Sequence, residues 1–439
     1  MDAAEPTILV IFGITGDLAR RYLLPALYHL CKDNLLGEHT VILGTSRQAL
    51  AVDEFLGRVE LCVLETDNIC DPDVLKTFRS KLQLVQLDPA KGEDYAQLHR
   101  TLDGIEDEHG LCMNRLYYLS IPPQIYNPIV QHLGENGLNQ SCQHGRAATR
   151  LLVEKPFGYD LTSAQDLISA TAIHFSEDQV FRIDHYLAKE TARHILPFRR
   201  TNPDVEARWN QQHIRRINIQ AFEALGIEGR LFYDQVGALR DFVQSHLLQL
   251  LALVASDLPA GTSNQALHAA KKQLLESVEP VPMEQVSERT RRAQYEGYRQ
   301  EVGNPHSTTE TFAAVTLHIP SDRWQGTTFQ LTTGKALNEK RAQIIVHFDN
   351  EQLVFAIQPE PDIHGLDHTS PGTHDQTVHE QEDAYERVLV DAMRGDHSLF
   401  VTADEVLASW RIVQPILNEW PKRQDDLLYY AVGSDPLSI

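Results

Sequence analysis

The first third of the chain alternates short, wholly apolar runs with segments of helical periodicity. Wholly apolar runs are typical of strands buried on both faces of a parallel sheet, and helices between them are typical of βαβ units. The predicted strands are 7–12, 41–43, 116–120 and 151–153, and the first predicted helix is 17–32. This rhythm predicts a parallel sheet with helices on its faces.

The pattern changes after about residue 175, where the strand candidates alternate apolar and polar residues. Such alternation is typical of an antiparallel sheet with one buried face. Strands are predicted at 216–222, 312–319, 342–348 and 352–358, and helices at 239–254, 380–393 and 403–417 are expected to cover this sheet. The predicted fold class is α/β plus α+β, with an α/β domain at residues 1–175 and an α+β domain at residues 176–439.

A polar segment at 363–381 carries the histidines His364, His368, His374 and His379. A metal site is one interpretation of this cluster. The spacings are irregular and no cysteine accompanies them, which favours a solvated loop. No metal is therefore predicted.

Length and charge narrow the class of protein. At 439 residues the chain exceeds what one hydrophobic core usually supports, in agreement with two domains. No run approaches the ~18 apolar residues of a membrane span, and the first residues lack the basic region of a signal peptide. The formal net charge of −22 disfavours binding to nucleic acid or an anionic membrane. We expect a cytoplasmic protein in which any anionic ligand meets cations concentrated in one pocket.

The cysteines give a second indication of the compartment. They are odd in number, form no Cys-x-x-Cys pair and lie in the first third of the chain. They are Cys31, Cys62, Cys70, Cys112 and Cys142. We expect reduced, buried thiols.

A glycine-containing turn, Gly13-Ile-Thr-Gly16-Asp17-Leu18-Ala19, links the first predicted strand to the first predicted helix. Gly13 suits a tight turn and Gly16 a close approach of pyrophosphate to the backbone, and Ala19 permits close helix–sheet packing. The N–H groups and positive dipole of a helix N-terminus favour phosphate. The motif predicts a Rossmann dinucleotide-binding domain, and a plain glycine turn is the alternative. The candidate cofactor-binding residues here are Gly13, Thr15, Gly16, Asp17 and Leu18.

The end of the second strand bears on the choice of cofactor. NAD-specific folds usually place a carboxylate there, to accept from the ribose 2′-OH. This chain reads Leu43-Gly44-Thr45-Ser46-Arg47 instead. Ser46 and Arg47 offer donors to a 2′-phosphate, which arginine can also bind bidentately. NADP is favoured, with NAD as the second choice; a solvated surface arginine is the alternative reading of Arg47.

Two later motifs contain cationic residues. Lys155, in Glu154-Lys155-Pro156-Phe157-Gly158, comes directly after a predicted strand, where ligands of open α/β sheets bind. The run Arg182-Ile-Asp184-His185-Tyr186-Leu-Ala-Lys189-Glu190 concentrates cations, a phenol and acids. His185 and Lys189 are expected to form an i,i+4 pair on one helix face and to clamp a phosphate. A surface lysine and an exposed helix start are the alternatives.

One histidine, His246, lies on the otherwise apolar helix that follows Gly237. A lone histidine in such a helix is usually a core residue. Hydride transfer from an alcohol or hemiacetal, however, requires a base for the hydroxyl proton, and histidine has a suitable pKa. A carboxylate such as Asp184 could fix its tautomer. Both readings stay open on these residues alone.

Taken together, these segments resemble the glucose-6-phosphate dehydrogenase family, in the same order along nearly the whole chain. The run Arg-Ile-Asp-His-Tyr-Leu-x-Lys-Glu at 182–190 is very specific. The supporting matches are Gly16-Asp17-Leu18-Ala19, Glu154-Lys155-Pro156-Phe157-Gly158, Arg240-Asp241 with His246-Leu247-Leu248-Gln249, Gly334-Lys335-Ala336-Leu337-Asn338-Glu339, and Ala384-Tyr385-Glu386-Arg387.

The resemblance implies oxidation of β-D-glucose 6-phosphate at C1 to the 6-phosphoglucono-δ-lactone with hydride transfer to NADP, the entry step of the pentose phosphate pathway. It implies His246 as the general base and Asp184 as the carboxylate that orients it. It also implies a homodimer formed through the large antiparallel sheet, and leaves a tetramer open. The remaining implied positions are His185, Tyr186 and Lys189 for the 6-phosphate, Glu223, Asp241 and Lys335 for the sugar, Lys155 between cofactor and sugar, and Asp88 as a weaker cofactor-side match.

Some positions depart from the family pattern. Tyr22 follows Arg20-Arg21 at a position where many relatives have a third basic residue. Lys340 occupies a position where arginine is common, and it remains a candidate substrate-binding residue. The chain is also shorter than typical members, chiefly after Gln358, and a second, structural NADP site is not supported. Tyr22 and Lys340 motivate one alternative, a dehydrogenase of another hexose 6-phosphate such as an amino sugar phosphate. A non-catalytic NADP-sensing relative is a second alternative, of a different class.

Overall fold

The computed structural model describes residues 5–59, 61–62, 70–141, 147–366 and 384–439. The strands are β1 (Thr7–Phe12), β2 (Thr40–Ser46), β3 (Leu82–Gln86), β4 (Asn114–Leu119), β5 (Thr149–Val153), β6 (Val180–Ile183), β7 (Ile214–Phe222), β8 (Thr290–Tyr295), β9 (Phe312–Leu317), β10 (Thr328–Gly334), β11 (Arg341–Phe348), β12 (Gln352–Gln358), β13 (Asp362–His364), β14 (Phe400–Val401) and β15 (Leu427–Tyr430).

The α-helices are α1 (Leu24–Lys32), α2 (Val52–Leu56), α3 (Pro72–Lys81), α4 (Gly92–His109), α5 (Tyr126–Glu135), α6 (Leu161–Ala172), α7 (Glu190–Thr201), α8 (Pro203–Ala207), α9 (Leu248–Ala255), α10 (Asn264–Ser277), α11 (Val286–Arg289), α12 (Tyr298–Glu301), α13 (Ala384–Arg394) and α14 (Ala403–Glu419). The π-helical segments Ala19–Leu23 and Leu239–Leu247 continue directly into α1 and α9. Short 3-10 turns occur at Pro123–Ile125, Glu177–Gln179, Leu231–Gln235, Met283–Gln285, Trp420–Lys422, Gln424–Asp426 and Pro436–Ser438.

The first compact unit comprises Met1–Phe157, Gln165–His185 and Val378–Thr402. Its sheet, in the described part of the chain, has the strand order β14-β6-β5-β4-β1-β2-β3. All neighbours are parallel except β14, which pairs antiparallel with β6. Every residue of β1 and β4 is buried, as expected for strands covered on both faces. The strand order reverses between β1 and β4, and ligands of such sheets bind at the carboxyl ends beside this reversal.

The predicted strands of this unit are found close to where the sequence placed them. The strand at 7–12 is confirmed, while β2, β4 and β5 begin earlier than predicted. The helix predicted at 17–32 is confirmed in its bounds, but its residues Ala19–Leu23 are π-helical, and the Leu24 amide donates to the carbonyl of Ala19. Pro25, which follows, has no N–H to donate one turn back, and this accommodates the wider turn.

The second compact unit comprises Gly158–Ala164, Tyr186–Thr377 and Ala403–Ile439. Within the residues described, its sheet has the order β13-β12-β11-β7-β10-β9-β8-β15. The pairs β7/β10 and β8/β15 are parallel and the others antiparallel. Alternate residues of β11 are buried, as the sequence pattern predicts. The segment Leu239–Leu247 packs on β7, β9 and β10, with α9, α10 and α14 stacked one on another beyond it.

These units differ from the single boundary predicted between residues 175 and 176. Strand β6 joins the first sheet, and the chain returns to that unit at 378–402. The helix predicted at 380–393 was expected to cover the antiparallel sheet, and this was wrong. Helix α13 packs on α1 and β4 in the first unit, because the adjoining β14 pairs with β6.

The expectation of reduced cysteines is also wrong for part of the set. Cys62 and Cys70 form a disulfide with Cα atoms 5.3 Å apart, and Cys112 is disulfide-bonded as well. Cys31 is free and buried. The fold brings residues 62 and 70 together between α2 and α3, a proximity that their spacing in the sequence does not indicate.

The last two expectations concern the polar segment at 363–381 and membrane-spanning helices. Residues 363 and 364 belong to β13, where the Nδ1 of His364 lies 3.0 Å from a carboxylate oxygen of Asp362. The histidines at 368, 374 and 379 lie outside the described residues. Across the described ranges, every helix is too short or too polar to cross a membrane.

Candidate active site

The glycine turn lies at the carboxyl end of β1. Gly13 has a φ of +78°, and a Cβ there would lie 2.7 Å from the carbonyl oxygen of Ser120. A Cβ on Gly16 would lie 3.0 Å from the carbonyl oxygen of Gly13, which accepts from the Gly16 amide at 2.8 Å. Gly13 therefore requires a residue without a side chain, and a side chain at Gly16 would crowd the backbone of the turn.

The other cofactor candidates flank this turn. Thr15 and Asp17 are exposed and Leu18 is half-buried. At the end of β2, Ser46 is half-buried and Arg47 exposed, and the carbonyl of Ser46 accepts from the amide of Leu87 at 2.9 Å, next to Asp88. Asp88 accepts from the Ala90 amide with its side chain. The glycine cradle, the exposed guanidinium and the following helical segment fit a dinucleotide phosphate.

Glu154 and Lys155 follow the end of β5 at the same edge of the sheet. The Tyr118 hydroxyl donates to Glu154 Oε1 at 2.5 Å, and the Tyr126 hydroxyl donates to the Glu154 carbonyl at 3.2 Å. Burial raises the pKa of the Glu154 carboxyl to about 7, with the charge of Asp184 adding to the increase and Tyr118 and Lys155 opposing it. A carboxyl that titrates near neutral pH therefore lies beside the candidate Lys155.

The run at 182–190 adopts a conformation different from the predicted helix. Residues 185–188 form a turn after β6, and helix α7 begins at Glu190 with Lys189 as its N-cap. Lys189 is in an extended conformation, so the predicted i,i+4 pair of His185 and Lys189 on one helix face is wrong. Asp184 is buried, with only 3% of its surface exposed, while His185 is half-buried.

Tyr22 lies on the π-helical segment that follows the glycine turn. Its ring stacks on Tyr385 of α13 with centroids 5.4 Å apart, and 41% of its surface is exposed. Burial, followed by the nearby Glu154 and Tyr385, raises the pKa of the Tyr118 phenol well above its usual value. The departure at position 22 therefore adds an aromatic ring near this edge of the sheet.

In the second unit, the sugar-binding candidates converge through the parallel pairing of β7 and β10. Phe222 pairs with Gly334 at the ends of these strands, so Glu223 and Lys335 follow side by side. The Lys335 ammonium forms an ion pair with Glu223 and lies 3.6 Å from a carboxylate oxygen of Asp241. The lysine side chain is only 3% exposed, whereas the two carboxylates keep part of their surface open. Open carboxylates beside a buried cation can accept hydrogen bonds from sugar hydroxyls.

Two aromatic rings complete the surroundings of Lys335. Its Nζ lies 5.0 Å from the ring centroid of Tyr233 and 5.7 Å from that of Phe242. An ammonium over a ring face is attracted by the ring quadrupole, more strongly when the pair is shielded from water. Burial and nearby carboxylates also raise the pKa of the Tyr233 phenol far above its usual range, so it stays protonated.

His246 occupies the second turn of the π-helical segment Leu239–Leu247 and is 1% exposed. The Tyr186 ring stacks on its imidazole with centroids 4.5 Å apart and planes inclined by 25°. The Phe242 ring meets it edge-on at 5.3 Å. The structure therefore brings the candidate base His246 against the phosphate candidate Tyr186, and packs the imidazole in one orientation.

Sequence reasoning missed Gln358, the last residue of β12. Its side-chain amide donates to the Tyr186 hydroxyl at 3.2 Å. A polar residue at a strand end was the available signal, and the alternating pattern of β12 obscured it.

Lys340, at the turn between β10 and β11, is exposed, while its neighbour Arg341 pairs with Glu339 at 3.0 Å.

Among the residues that the structure describes, no group of three or more histidine, cysteine, aspartate or glutamate side chains is arranged to hold a metal ion. The chemistry of the two site regions is that of backbone amides, ammonium and guanidinium groups, carboxylates and the imidazoles of His185 and His246. Such groups bind phosphates and sugar hydroxyls and move protons.

Comparison with known proteins identifies the family whose sequences and structures are similar to this chain. Residues 10–194 match the model of the glucose-6-phosphate dehydrogenase NAD binding domain, and residues 196–369 and 366–437 match that of its C-terminal domain. Glucose-6-phosphate 1-dehydrogenases of Treponema pallidum and Mycolicibacterium smegmatis are 37% and 36% identical, covering 98% of this chain and 92% and 94% of theirs. A solved glucose-6-phosphate dehydrogenase in complex with its substrate glucose-6-phosphate is 30% identical with a TM-score of 0.88, covering 99% of this chain and 96% of that one. This chain belongs to the glucose-6-phosphate dehydrogenase family.

Proposed function

We propose that this chain oxidises D-glucose 6-phosphate at C1 to 6-phospho-D-glucono-1,5-lactone with hydride transfer to NADP, the first step of the pentose phosphate pathway. The observation that carries the proposal is the buried Lys335, held by Glu223 and Asp241, on the same unit as a packed histidine. Its relatives are named glucose-6-phosphate 1-dehydrogenases, and a similar solved structure contains that substrate.

His246 is the proposed general base. Its imidazole accepts the proton of the C1 hydroxyl as the C1–H bond breaks, and histidine titrates in the range this step needs. Stacking against Tyr186 restrains the ring, which limits the loss of orientation that a free side chain would suffer. Asp184 is proposed as the carboxylate that fixes the tautomer of this imidazole.

The remaining site residues are proposed to bind the cofactor and the substrate. Backbone at Gly13 and Gly16 holds the pyrophosphate of NADP, and Ser46 and Arg47 contact the 2′-phosphate. When bound, NADP supplies the hydride acceptor. Further cofactor contacts are assigned to Thr15, Asp17, Leu18, Asp88 and Lys155, the 6-phosphate to His185, Tyr186, Lys189 and Lys340, and the sugar ring to Lys155, Glu223, Asp241 and Lys335.

The proposal is tested by the reduction of NADP and of NAD with a panel of hexose 6-phosphates. We expect the highest kcat/KM for glucose 6-phosphate with NADP, and a lower value with NAD. A clear preference for another hexose 6-phosphate would reject glucose 6-phosphate as the substrate. Absence of turnover with every member of the panel, despite NADP binding, would favour a non-catalytic NADP sensor.

The role of the base is tested in the same assay with His246→Asn. We expect kcat to fall roughly 100- to 10,000-fold, while the NADP dissociation constant stays within about twofold. The matched control is His306→Asn, since His306 is exposed and lies outside the site. Turnover like that of the wild type in the His246 variant would exclude this residue as the base.

Tyr22 favours a second candidate, a dehydrogenase of another hexose 6-phosphate such as an amino sugar phosphate. The aromatic stack with Tyr385 replaces a cation near the carboxyl edge of the first sheet, and a cationic sugar suffers less repulsion there. Glucosamine 6-phosphate in the panel distinguishes the two. A kcat/KM above that for glucose 6-phosphate would establish this alternative.

A homodimer, with a tetramer as the larger alternative, is proposed on the family resemblance. A cytoplasmic location is proposed on the same ground. A compartment that keeps thiols reduced would open the Cys62–Cys70 disulfide, since such bonds persist mainly in oxidising environments. Alkylation of free thiols in intact cells, followed by separation of the cellular compartments, reports both the location and the state of this pair. Recovery only from an oxidising compartment would contradict the proposal.

A further inference from the structure

The π-helical segment Leu239–Leu247, which carries Asp241 and His246, follows the helical residues 237 and 238 and has no side-chain cap at Ala238. The residue before it, Ala238, has no side-chain acceptor for the first amides of the segment. The first N–H groups of a helix have no acceptor within the helix, and leaving them unsatisfied costs stability. The acceptor must come from another part of the chain.

Glu310, at the approach to β9, supplies it. Its Oε1 accepts from the Leu239 amide at 2.9 Å, and its carbonyl oxygen accepts from the Ala238 amide at 3.0 Å. Gly237, with a φ of +72°, lies directly against this carboxylate, and a Cβ there would lie 2.4 Å from Glu310 Oε1. Glu310 is buried, with 6% of its surface exposed.

The next residue, Thr311, contacts the backbone of Lys335, the ion-pair partner of Asp241. Its carbonyl oxygen accepts from the Lys335 amide at 2.9 Å. Two consecutive residues, Glu310 and Thr311, therefore hold the start of the segment with Asp241 and the backbone of Lys335. The Lys335 ammonium and the Asp241 carboxylate, 3.6 Å apart, belong to the two segments that these residues contact.

The surroundings of the Glu310 carboxyl leave its pKa above the usual value, so the cap does not depend on charge: Oε1 accepts from the Leu239 amide in either protonation state. Burial raises the pKa of the Glu310 carboxyl, while its bond with the Leu239 amide and the charges of Arg240 and Arg292 lower it. The N-terminal end of a helix carries partial positive charge, which also favours a carboxylate.

We propose that Glu310 is a positioning residue for sugar binding: it caps the segment that begins at Leu239 and so sets Asp241 relative to Lys335. This inference rests on the proposed function, because it assigns the pair to the hexose 6-phosphate. Asp241 lies in the first turn of the segment, which frays when the cap is lost, whereas His246 lies a further turn along it. Loss of the cap therefore affects substrate binding more than proton abstraction.

The test compares Glu310→Ala, Glu310→Asp and Glu310→Gln with the wild type. Alanine removes the acceptor and aspartate is too short to reach the Leu239 amide, so the KM for glucose 6-phosphate is expected to rise about 5- to 20-fold and kcat to change less than about threefold. Glutamine keeps an acceptor oxygen and is expected to hold KM within about threefold of the wild type. The aspartate and glutamine variants keep the comparison valid if the alanine variant does not fold.

Ser263→Ala is the matched control, because Ser263 caps α10 by accepting from the Ala266 amide at 3.2 Å. It removes a cap of similar value, so its melting temperature falls while KM stays unchanged. If Glu310→Asp lowers the melting temperature and leaves KM like that of the control, Glu310 is only structural and the inference fails. Glucose 6-phosphate binding, measured by calorimetry on the same variants, gives the same comparison if the wild type shows no turnover, an outcome that would reject the proposed function alone.

Discussion

At the scale of single residues, Glu154 shows how a side chain takes its properties from neighbours distant in the sequence. Tyr118 reaches its carboxylate across 36 positions of the chain, and Tyr126 binds its backbone carbonyl. Burial then raises the pKa of this carboxyl from 4.5 to about 7. The neighbouring strand β4 and the segment beyond it, and not the local sequence, determine the charge of Glu154 at neutral pH.

This pKa predicts a pH dependence of folding. The folded chain binds a proton on Glu154 that the unfolded chain has already released between pH 4.5 and 7, so stability from this group is present at low pH and falls as the pH rises to about 7. In Glu154→Gln this dependence should be absent. Relative to the wild type, the free energy of unfolding of the variant should increase by about 2 kcal/mol from pH 4.5 to pH 7.5, because a tenfold change in proton affinity is worth ~1.4 kcal/mol and the side chain keeps some solvent contact.

Urea denaturation at both pH values measures this difference. Glu108→Gln serves as the control, since Glu108 is exposed on α4. A variant whose stability relative to the wild type is the same at pH 4.5 and pH 7.5 would show that Glu154 titrates like an exposed carboxyl.

At the scale of elements, the glycine turn joins β1 to the helical segment through a conformation that other residues adopt with strain. Gly13→Ala combines an unfavourable φ with a Cβ placed 2.7 Å from the Ser120 carbonyl oxygen. We expect a loss of roughly 2–4 kcal/mol of stability and an NADP affinity reduced about tenfold or more, because the turn must shift away from β4.

Gly110 provides the comparison, because it ends α4 with a φ of +64° and open space where a Cβ would be. Gly110→Ala should cost only about 1 kcal/mol and leave NADP affinity unchanged. Urea denaturation and NADP titration measure both effects. Equal losses in the two variants would mean that the close approach to Ser120 is unimportant.

Also at this scale, the two π-helical segments carry Tyr22 in one unit and Asp241 with His246 in the other. Segments of this kind occur often at functional sites. Their sequences match helical periodicity closely enough that an ordinary α-helix is the natural prediction, so only the hydrogen-bond pattern of the structure distinguishes them.

At the scale of the whole molecule, the proposed homodimer can be measured directly. Light scattering coupled to size-exclusion chromatography should give about twice the chain mass of 49.7 kDa at micromolar concentration. Two chains with a formal net charge of −22 each repel one another, and salt screens this repulsion, so on dilution the dimer should dissociate at a higher protein concentration in ~50 mM salt than in ~500 mM salt. A mass near that of one chain at both salt concentrations would reject the homodimer.

Much of the framework follows from the sequence, because it depends on local patterns. Apolar runs predicted the buried parallel strands, alternation predicted the antiparallel sheet, and the turn at Gly13 was predicted from its position after a strand. Lys155 became a candidate because it follows a predicted strand, and the carboxyl edge of an open α/β sheet gathers its ligands, whereas Lys335 followed only from the family resemblance.

Only the tertiary structure decided which of these residues meet. The Lys335–Glu223 pair joins positions 112 apart, and the cap from Glu310 to Leu239 joins positions 71 apart. The pairing of Cys62 with Cys70 and the return of α13 to the first unit depend on packing in the same way. Local propensity and periodicity act over a few residues, so the sequence determined the elements and the types of chemistry, and long-range contacts decided the site that combines them.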